Sequence, residues 1–308
     1  MYVNLKTAAV DRPLVTVVTP SYNMREFLEH TIQSVLSQDY PNIDYIVMDG
    51  GSSDGTVELL EKYSGRLRYW SGPDRGAAAA INEGFRRSSG EICGWLSADD
   101  TYLPGAVSKA VERLVVSNDI DVVYGDGDWV DRAGRFIGKY PTLDYNADRF
   151  GKECFICQPA TFFRRAAFDR AGGLDPALRS AFDYDLWVRL SRQARFERVP
   201  VTLATSRMHD TNKSLQHRSQ MFKESISILQ RYFGYVPFQW VFGYTCYLVD
   251  GRDQFTRPIA PSFLKYCCSL PVGCWYNRSH PIRFVREWLR IARSNVIRLL
   301  GLAQVRQT

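Results

Sequence analysis

Apolar and polar positions alternate with two different periods along the first hundred residues. Short β-branched runs such as Leu14–Thr19 predict buried strands, and segments such as Met24–Ser37, with apolar residues at helical spacing, predict amphipathic helices. Strands that alternate with helices indicate a mainly parallel, doubly wound α/β sheet flanked by helices. The predicted strands are Leu14–Thr19, Asp44–Met48, Arg66–Trp70 and Glu91–Leu96, and the predicted helices are Met24–Ser37, Thr56–Tyr63 and Ala77–Arg86.

The pattern changes in the remainder of the chain. Short strands broken by glycines predict a β-meander over Val122–Tyr140, and helical spacing returns at Asp185–Gln193. Beyond Ser214 the sequence is helical, rich in aromatic residues and punctuated by prolines. We therefore predict an α/β domain over residues 1–214, with halves at about 13–100 and 101–214, and a helical C-terminal extension over 215–308.

Polar and acidic residues follow each of the four predicted strands. Ligands bind at the carboxyl ends of the strands in such sheets, so these segments hold the candidate binding residues. They are Pro20-Ser21-Tyr22-Asn23, Asp49–Gly55, Gly72–Gly76 and Ser97–Asp100. Asp99 and Asp100 are hard oxygen ligands suited to Mg²⁺ or Mn²⁺, which in turn bridge phosphates, and the alternative is a solvated turn.

Several of these polar residues also have a structural interpretation. Asp54 could cap the helix that starts at Thr56, and Asn23 could cap the helix that follows it, which leaves Asp49 for a ligand.

Two further candidates lie in the second half of the predicted domain. Asp183 and Asp185 open a predicted helix, where a carboxylate either stabilises the helix N-terminus or accepts a proton from a nucleophile. His209 follows a strand-like run, and it is either a structural residue, a metal ligand or a partner of a leaving phosphate.

The chain of 308 residues carries a formal net charge of +6, concentrated at one end. Residues 278–308 hold seven Arg and one Glu, a local balance of +6, so no nucleic-acid-binding surface is needed to explain the charge. Seven cysteines without zinc-finger spacing favour reduced thiols in a cytosolic protein. The N-terminus lacks the apolar core of a signal peptide, and we do not expect the uncharged segment Tyr232–Val249, with its internal glycines and proline, to span a membrane.

The ordered motifs resemble those of family 2 glycosyltransferases with the GT-A fold, from about Pro13 to Ser214. The matching segments are Thr19–Asn23, Asp49–Thr56, Asp74–Gly76 with Ala80–Gly84, Leu96–Asp100, Gln158–Phe163 and Asp183–Leu190. One position departs from the pattern, because Ala79 stands where close relatives carry Asp, and this concerns the contacts to the donor sugar. No dinucleotide-binding or P-loop glycine motif occurs, which argues against dehydrogenases and P-loop enzymes.

The resemblance implies roles for individual residues. Asp49 would bond the base, Asp99 the ribose or the metal, Asp100 the metal, and Asp183 would be the catalytic base on the acceptor hydroxyl. The implied donor-binding residues are Pro20, Tyr22, Asn23, Asp49, Ser52, Asp54, Asp74, Arg75, Asn82 and Asp99. The implied metal ligands are Asp99, Asp100 and His209, and the acceptor side comprises Gln158, Tyr184 and Trp187.

The resemblance also implies an activity. It is the inverting transfer of a sugar from a nucleotide diphosphate donor, with Mn²⁺ or Mg²⁺, to a glycan or lipid-linked acceptor in cell-envelope polysaccharide or glycolipid synthesis. One alternative is a sugar-nucleotide nucleotidyltransferase, which would need a basic, glycine-rich loop where Pro20–Asn23 stands. The other is a non-catalytic carbohydrate-binding protein, for which loss of Asp100 or Asp183 would be expected.

The basic end of the chain predicts a membrane contact. A helix at about 100° per residue would gather apolar residues on one face and arginines on the other. The apolar face holds Ile282, Val285, Trp288, Leu289, Ala292, Val296, Leu299 and Leu300, and the basic face Arg283, Arg286, Arg290, Arg293 and Arg298. Such a helix suits an anionic lipid surface, so we predict a cytoplasmic protein, peripheral on the inner face of the cell membrane. The alternative is a helix packed on the catalytic domain with its arginines in water.

Overall fold

The computed structural model describes residues 12–251 and 262–299, which form strands and helices in the predicted alternation. The strands are β1 (Val15–Ser21), β2 (Ile43–Asp49), β3 (Arg68–Ser71), β4 (Ile92–Trp95), β5 (Thr101–Tyr102), β6 (Val122–Val130), β7 (Phe136–Lys139), β8 (Thr161–Arg164) and β9 (Phe196–Arg207). The helices are α1 (Arg25–Leu36), α2 (Thr56–Lys62), α3 (Ala77–Arg86), α4 (Ala106–Val116), α5 (Arg165–Arg170), α6 (Phe182–Leu190), α7 (Lys213–Gln216), α8 (Arg218–Phe233), α9 (Phe238–Asp250), α10 (Phe263–Tyr276) and α11 (Pro281–Leu299).

The strands form one mixed sheet in the order β3-β2-β1-β4-β8-β6-β9-β5, with β7 beside β6. Strands β1 to β4 are parallel to one another, whereas β8 runs antiparallel to both of its neighbours. The predicted α/β class is therefore confirmed, and each element predicted in the first hundred residues ends within two residues of the observed bounds. The predicted meander over Val122–Tyr140 is instead a single hairpin, β6–β7. No third strand follows within this segment, and β6 pairs along its length with the later strand β9.

Both faces of the parallel strands are covered by helices, which explains why the strands read as continuous apolar runs. On one face, Val15 and Val17 of β1 belong to a buried cluster with residues of α1, α2 and α4. On the other face, Val18 meets α3 so closely that a Cβ on Gly84 would lie 2.6 Å from its Cγ1. A helix can approach the sheet this closely because Gly84 has no side chain.

The described chain separates into two compact units. Residues 12–147 and Phe155–Asn212 form the unit that contains the sheet, and the second contains 148–154 and the described residues from 213 onward. In the second unit Phe284 of α11 is fully buried, and a Cβ on Gly273 of α10 would lie 2.0 Å from its ring.

The segment Tyr232–Val249 is not one continuous helix, since α8 ends at Phe233 and α9 begins at Phe238. None of the described helices combines the length and the apolar character needed to cross a bilayer.

Candidate active site

Three polar residues lie side by side at the carboxyl ends of the first three strands. The strand register pairs Ser21 of β1 with Asp49 of β2, and Asp49 with Ser71 of β3. Asp49 is buried, with 3% of its surface exposed. The predicted strand-end location of Asp49 is therefore observed.

The carboxylate of Asp49 is fixed by four hydrogen bonds. Its Oδ2 accepts from the backbone N–H of Gly51 at 3.1 Å, from the N–H of Ser52 at 3.0 Å and from the Ser71 hydroxyl at 2.6 Å. Its Oδ1 accepts from the Ser52 hydroxyl at 2.5 Å. Since each carboxylate oxygen has two lone pairs, Oδ2 is saturated and Oδ1 retains capacity for one further donor.

A pocket of about 340 Å³ lies beside this carboxylate. Its lining includes Trp70, Asp74, Ala79 and Arg87 as well as Asp49. The guanidinium carbon of Arg87 lies 4.5 Å from the centroid of the Trp70 ring, so that this wall of the pocket is a cation–π pair. The volume is within the range of small-molecule sites.

Gly50 brings an aromatic ring and a second carboxylate next to the pocket. A Cβ on Gly50 would lie 3.3 Å from Cδ2 of Tyr22 and 3.1 Å from Oδ2 of Asp74. Tyr22 is 62% exposed, although it follows a buried strand. An exposed ring beside fixed acceptors is suited to stack on a planar ligand.

The Asp99–Asp100 pair is buried and held from two elements. The Thr31 hydroxyl of α1 lies 2.9 Å and 2.8 Å from the carbonyl oxygens of Ala98 and Asp100. From β9, Arg207 donates its backbone N–H to Oδ1 of Asp100 at 2.9 Å and its Nε–H to the carbonyl of Asp99 at 3.0 Å. Burial, together with the negative charge of Asp99, raises the pKa of Asp100 well above its ordinary value.

His209 has both ring nitrogens engaged. Its Nε2 lies 3.0 Å from Oδ2 of Asp99, and its Nδ1 lies 2.8 Å from the hydroxyl of Thr211. Its ring also packs on Phe27, with the centroids 4.5 Å apart. The geometry is that of a residue that orients Asp99, so His209, which the sequence placed among the metal ligands, presents no unbonded nitrogen to a metal here.

Within the described ranges, no group of three His, Cys, Asp or Glu side chains converges as a preformed metal cage. Mg²⁺ and related cations, however, are commonly held by one or two carboxylates, with the remaining positions taken by water and substrate phosphates. Asp99 and Asp100 fit that arrangement. Burial, and secondly the negative charge of Asp99, raise the pKa of Asp100, and a cation bound at the pair would favour the charged form of both carboxylates.

Asp183 lies in the first turn of α6 and is half-buried. It shares a helix face with Trp187, four residues later, which stacks on Trp95 at the end of β4 with centroids 5.5 Å apart. The amide of Gln158 donates to the carbonyl of Trp95 at 2.8 Å. Gln158 and the Asp183 face of α6 are thus attached to the strand that leads into Asp99.

Two residues of the predicted acceptor side are core residues instead. Trp187 is fully buried and Tyr184 is 2% exposed, so neither presents a surface to an acceptor. Asp185 is also structural, because its carboxylate, 1% exposed, pairs with Arg189 at 2.7 Å. The helical period of this segment predicted that one side of the helix is buried. It did not show which side chains would remain accessible to a ligand.

Two residues of the predicted donor side, Asn82 and Asp54, hold loops in place with their polar atoms. Asn82 donates to the carbonyl of Leu174 at 2.8 Å and accepts from its N–H at 2.9 Å, which ties α3 to a distant loop. Asp54 accepts from the N–H of Thr56 at 3.2 Å and from that of Arg25 at 2.9 Å, so the capping alternative holds for it.

Asn23 does not cap α1. With a positive φ of 52°, it accepts from the N–H of Ser53 at 2.9 Å, and its own N–H donates to the Ser52 hydroxyl at 2.7 Å. Ser52 therefore connects this turn to Asp49. The hydrogen bonds of Asn23, Ser52 and Asp54 thus hold the loop that follows Asp49.

The remaining predicted residues lie at the rim. Pro20 is the residue before the end of β1, and Asp74 accepts from the N–H of Gly76 at 2.6 Å through Oδ1. Arg75 is exposed, and its carbonyl accepts from Arg179 at 3.0 Å.

Arg207 was not among the predicted residues. The available signal in the sequence was an arginine at the end of a strand-like run, two positions before His209. In the structure, only 6% of Arg207 is exposed. Its guanidinium carbon lies 5.3 Å from the centroid of the Phe27 ring. The partners of Arg207 are about a hundred residues away in the sequence, where no local pattern points to them.

Comparison with known sequences gives a family match and distant relatives. The model of glycosyl transferase family 2 matches residues 16–172. A protein named as an uncharacterized glycosyltransferase of Rickettsia bellii is 29% identical over 217 residues, which cover 66% of this chain and 31% of that protein. Chondroitin synthase of Escherichia coli is 26% identical over 220 residues, which cover 69% of this chain and 32% of that protein. The chain thus spans about a third of the length of each of these two relatives.

Solved structures share the fold at low sequence identity. S. aureus TarS 1-349 in complex with UDP-GlcNAc aligns with a TM-score of 0.63 and 14% identity, over 89% of this chain and 83% of that one. Mannosyltransferase PcManGT from Pyrobaculum calidifontis, in complex with GDP-Man and Mn²⁺, aligns with a TM-score of 0.57 and 18% identity, over 94% of this chain and 88% of that one. These likenesses establish the GT-A fold.

Proposed function

Since this chain belongs to glycosyl transferase family 2, whose model matches half of its residues, we propose that it transfers a sugar from a uridine diphosphate sugar to an acceptor hydroxyl. The transfer inverts the configuration at the anomeric carbon, and uridine diphosphate leaves. The observation that carries the proposal is the arrangement at one edge of the sheet. A fixed carboxylate at a ligand-sized pocket, Asp49, ends β2, and a buried carboxylate pair, Asp99 and Asp100, follows β4; β1 lies between these two strands.

The hydrogen bonds of Asp49 support uracil as the base. Only Oδ1 of Asp49 retains a lone pair, because Oδ2 already accepts from Gly51, Ser52 and Ser71. The imide edge of uracil offers a single N–H, whereas the corresponding edge of guanine offers an N–H and an amino group. A guanine would therefore leave a donor without an acceptor at this carboxylate, which costs about 1–3 kcal/mol when it is buried.

The exposed ring of Tyr22 supports the same placement of the base. It lies next to Gly50, which follows Asp49 in the chain, so the ring borders the loop that carries the carboxylate. A nucleobase bonded to Asp49 would have the ring available for stacking.

Asp99 and Asp100 would hold Mg²⁺ or Mn²⁺ together with the diphosphate oxygens, and a cation there neutralises charge on the leaving group. The protein's own contribution is to keep this pair in place through Thr31, Arg207 and His209. A fixed site need not reorganise as charge develops, which is the larger part of electrostatic catalysis.

Asp183 is the proposed general base. It accepts the proton of the acceptor hydroxyl while that oxygen attacks the anomeric carbon from the face opposite the diphosphate. A single displacement of this kind inverts the configuration. The acceptor is proposed to be a glycan or a lipid-linked saccharide of cell-envelope polysaccharide or glycolipid synthesis.

The test is a donor panel of UDP-, GDP- and TDP-sugars, assayed for nucleoside diphosphate release with Mn²⁺ and with excess EDTA. We expect release from UDP-sugars in preference to GDP-sugars, and only with the cation; thymine has the same imide edge as uracil, so the TDP-sugars test the fit of the 5-methyl group. Proton NMR of the product should show a β-anomeric coupling from an α-linked donor. Formation of UTP from a UDP-sugar and pyrophosphate would instead identify a nucleotidyltransferase, and retained configuration would exclude the single displacement.

A further inference from the structure

The inward face of α11 is committed to packing in the helical unit. Phe284 is buried against α10, and the indole Nε1 of Trp288 donates to the carbonyl of Tyr266 at 3.2 Å and to the Ser269 hydroxyl at 3.1 Å. Part of the apolar face that the sequence assigned to lipid is therefore in contact with protein. A lipid contact must therefore use other residues of the helix.

The single acidic residue of residues 278–308, Glu287, also belongs to the packed side. Its carboxylate accepts from the Tyr235 hydroxyl and, at 3.3 Å, from the backbone N–H of Phe238. The outer surface of α11 is consequently left without a described acidic side chain from the helix itself.

Four exposed residues form a line along the outer surface of α11, which we call the α11 stripe: Ile282, Arg286, Leu289 and Arg293. Their spacing of four, three and four positions keeps them on one side of an α-helix. Ile282 is 68% exposed and Leu289 is 55% exposed, so two large aliphatic side chains of this line face solvent between arginines.

Two further exposed residues lie close in sequence to the start of α11. Trp275 near the end of α10 is 71% exposed, and Arg278 follows it and is also exposed. The turn between α10 and α11 is rigid, because the Asn277 side chain bonds the N–H of Val236 at 2.8 Å, the carbonyl of Val236 at 3.0 Å and the carbonyl of Gly273 at 3.0 Å. The backbone at Trp275 and Arg278 is therefore held in place where α10 ends and α11 begins, which is also the end of α11 that carries Ile282.

We infer that the α11 stripe, with Trp275 and Arg278, is a docking surface for an anionic lipid bilayer. Aliphatic side chains that alternate with arginines along one line can enter the headgroup region while the guanidinium groups meet lipid phosphates. A tryptophan at the edge of such a surface prefers the same interfacial depth. A second copy of this chain would place arginine against arginine, and a nucleic acid would leave Ile282 and Leu289 without an apolar partner. The surface goes beyond the proposed function, since it requires neither donor nor acceptor.

The test is flotation of the full chain with vesicles of phosphatidylcholine, with and without phosphatidylglycerol, at low and high salt. We expect binding to the anionic vesicles only, weakened by salt. The triple variant R278Q/R286Q/R293Q should lower the partition coefficient by about a hundredfold, since each arginine near an anionic leaflet contributes about fivefold. The variant I282N/L289N should lower it at least tenfold at unchanged charge.

The matched control is K62Q/R66Q/K109Q, which removes the same charge from exposed positions of the sheet-containing unit. It should bind like the wild type, and an equal loss would overturn the proposal in favour of overall charge. Absence of binding to anionic vesicles at low salt would overturn it as well. A wild-type dimer that I282N/L289N converts to monomer in sedimentation velocity would make the stripe an interface between copies instead. Circular dichroism and UDP titration of each variant verify the fold, and vesicle binding can fail without any consequence for the transfer activity.

Discussion

The substitution Asp49→Asn tests the nucleotide assignment most directly, because it exchanges one acceptor for a donor at nearly constant shape. The asparagine oxygen can take the place of Oδ2 and keep the bonds from Gly51, Ser52 and Ser71. Its amide then faces the Ser52 hydroxyl, which can accept instead of donate. Because four charge-assisted bonds become neutral ones, we expect the free energy of unfolding to fall by about 1–2 kcal/mol, which leaves the protein folded.

Nucleotide binding should change much more than stability. A hydrogen bond to a charged acceptor is worth about 1.5–3 kcal/mol, and the uracil N–H would in addition face another donor. We therefore expect the affinity for UDP to fall by about 10- to 100-fold. Cytosine carries an acceptor where uracil carries its N–H, so the variant should prefer CDP to UDP, in reversal of the wild type.

The assay is isothermal titration calorimetry with UDP, CDP and GDP at fixed Mg²⁺, combined with urea unfolding of the same preparations. Ser71→Ala is the matched control, since it removes one donor to Oδ2 but preserves both the charge and the Oδ1 lone pair. It should retain UDP affinity within about threefold, given the modest net value of one hydrogen bond. An Asp49→Asn protein that binds UDP as the wild type does, or gains nothing for CDP, would refute the assignment of Asp49 to the base.

Four further substitutions separate chemistry from architecture. Asp100→Asn should abolish turnover and also the Mn²⁺ binding seen by electron paramagnetic resonance, whereas full activity of the variant in excess EDTA would contradict a cation site. Asp183→Asn should bind UDP normally but lose transfer by about a thousandfold, and early melting with normal turnover per folded molecule would show that Asp183 only caps its helix. The neighbouring Asp185→Asn should do the reverse, because it breaks the 2.7 Å pair with Arg189 and costs about 3–5 kcal/mol of stability while chemistry persists. Gly84→Ala should lower stability by about 1–3 kcal/mol, since its methyl group would lie 2.6 Å from Cγ1 of Val18, and an unchanged melting temperature would show that the helix yields without cost.

The sequence predicted those parts of the molecule that depend on local pattern. The locations of Asp49 at the end of β2 and of Asp100 in the segment after β4 follow from apolar runs, because a parallel sheet brings the carboxyl ends of its strands to one edge. The partners of those residues do not follow, since Asn82 bonds Leu174 and Arg207 bonds Asp100 across about a hundred residues of chain. Such pairs are set by tertiary packing, which periodicity does not encode.

The same limit explains the residues that were assigned to ligands but brace the protein. The side chain and the position of Asp54 suit either a contact with a bound ligand or a helix cap. Only the observed hydrogen bond from the N–H of Thr56 distinguishes the two roles. Trp187 lies in a segment that matches the family, yet its indole stacks in the core on Trp95. A motif identifies which residues matter to the family, but the side-chain direction decides whether they act on the ligand or on the fold.

Strand β9 has a consequence for the timing of synthesis. It is the last strand among the described residues, yet it lies between β6 and β5, and it carries Arg207 and leads to His209. A nascent chain that has reached residue 172 contains the whole family-matched segment but lacks both Arg207 and His209. Since chains emerge from the N-terminus onward, the carboxylates of Asp99 and Asp100 lack these two partners until residues 207–209 have been synthesised.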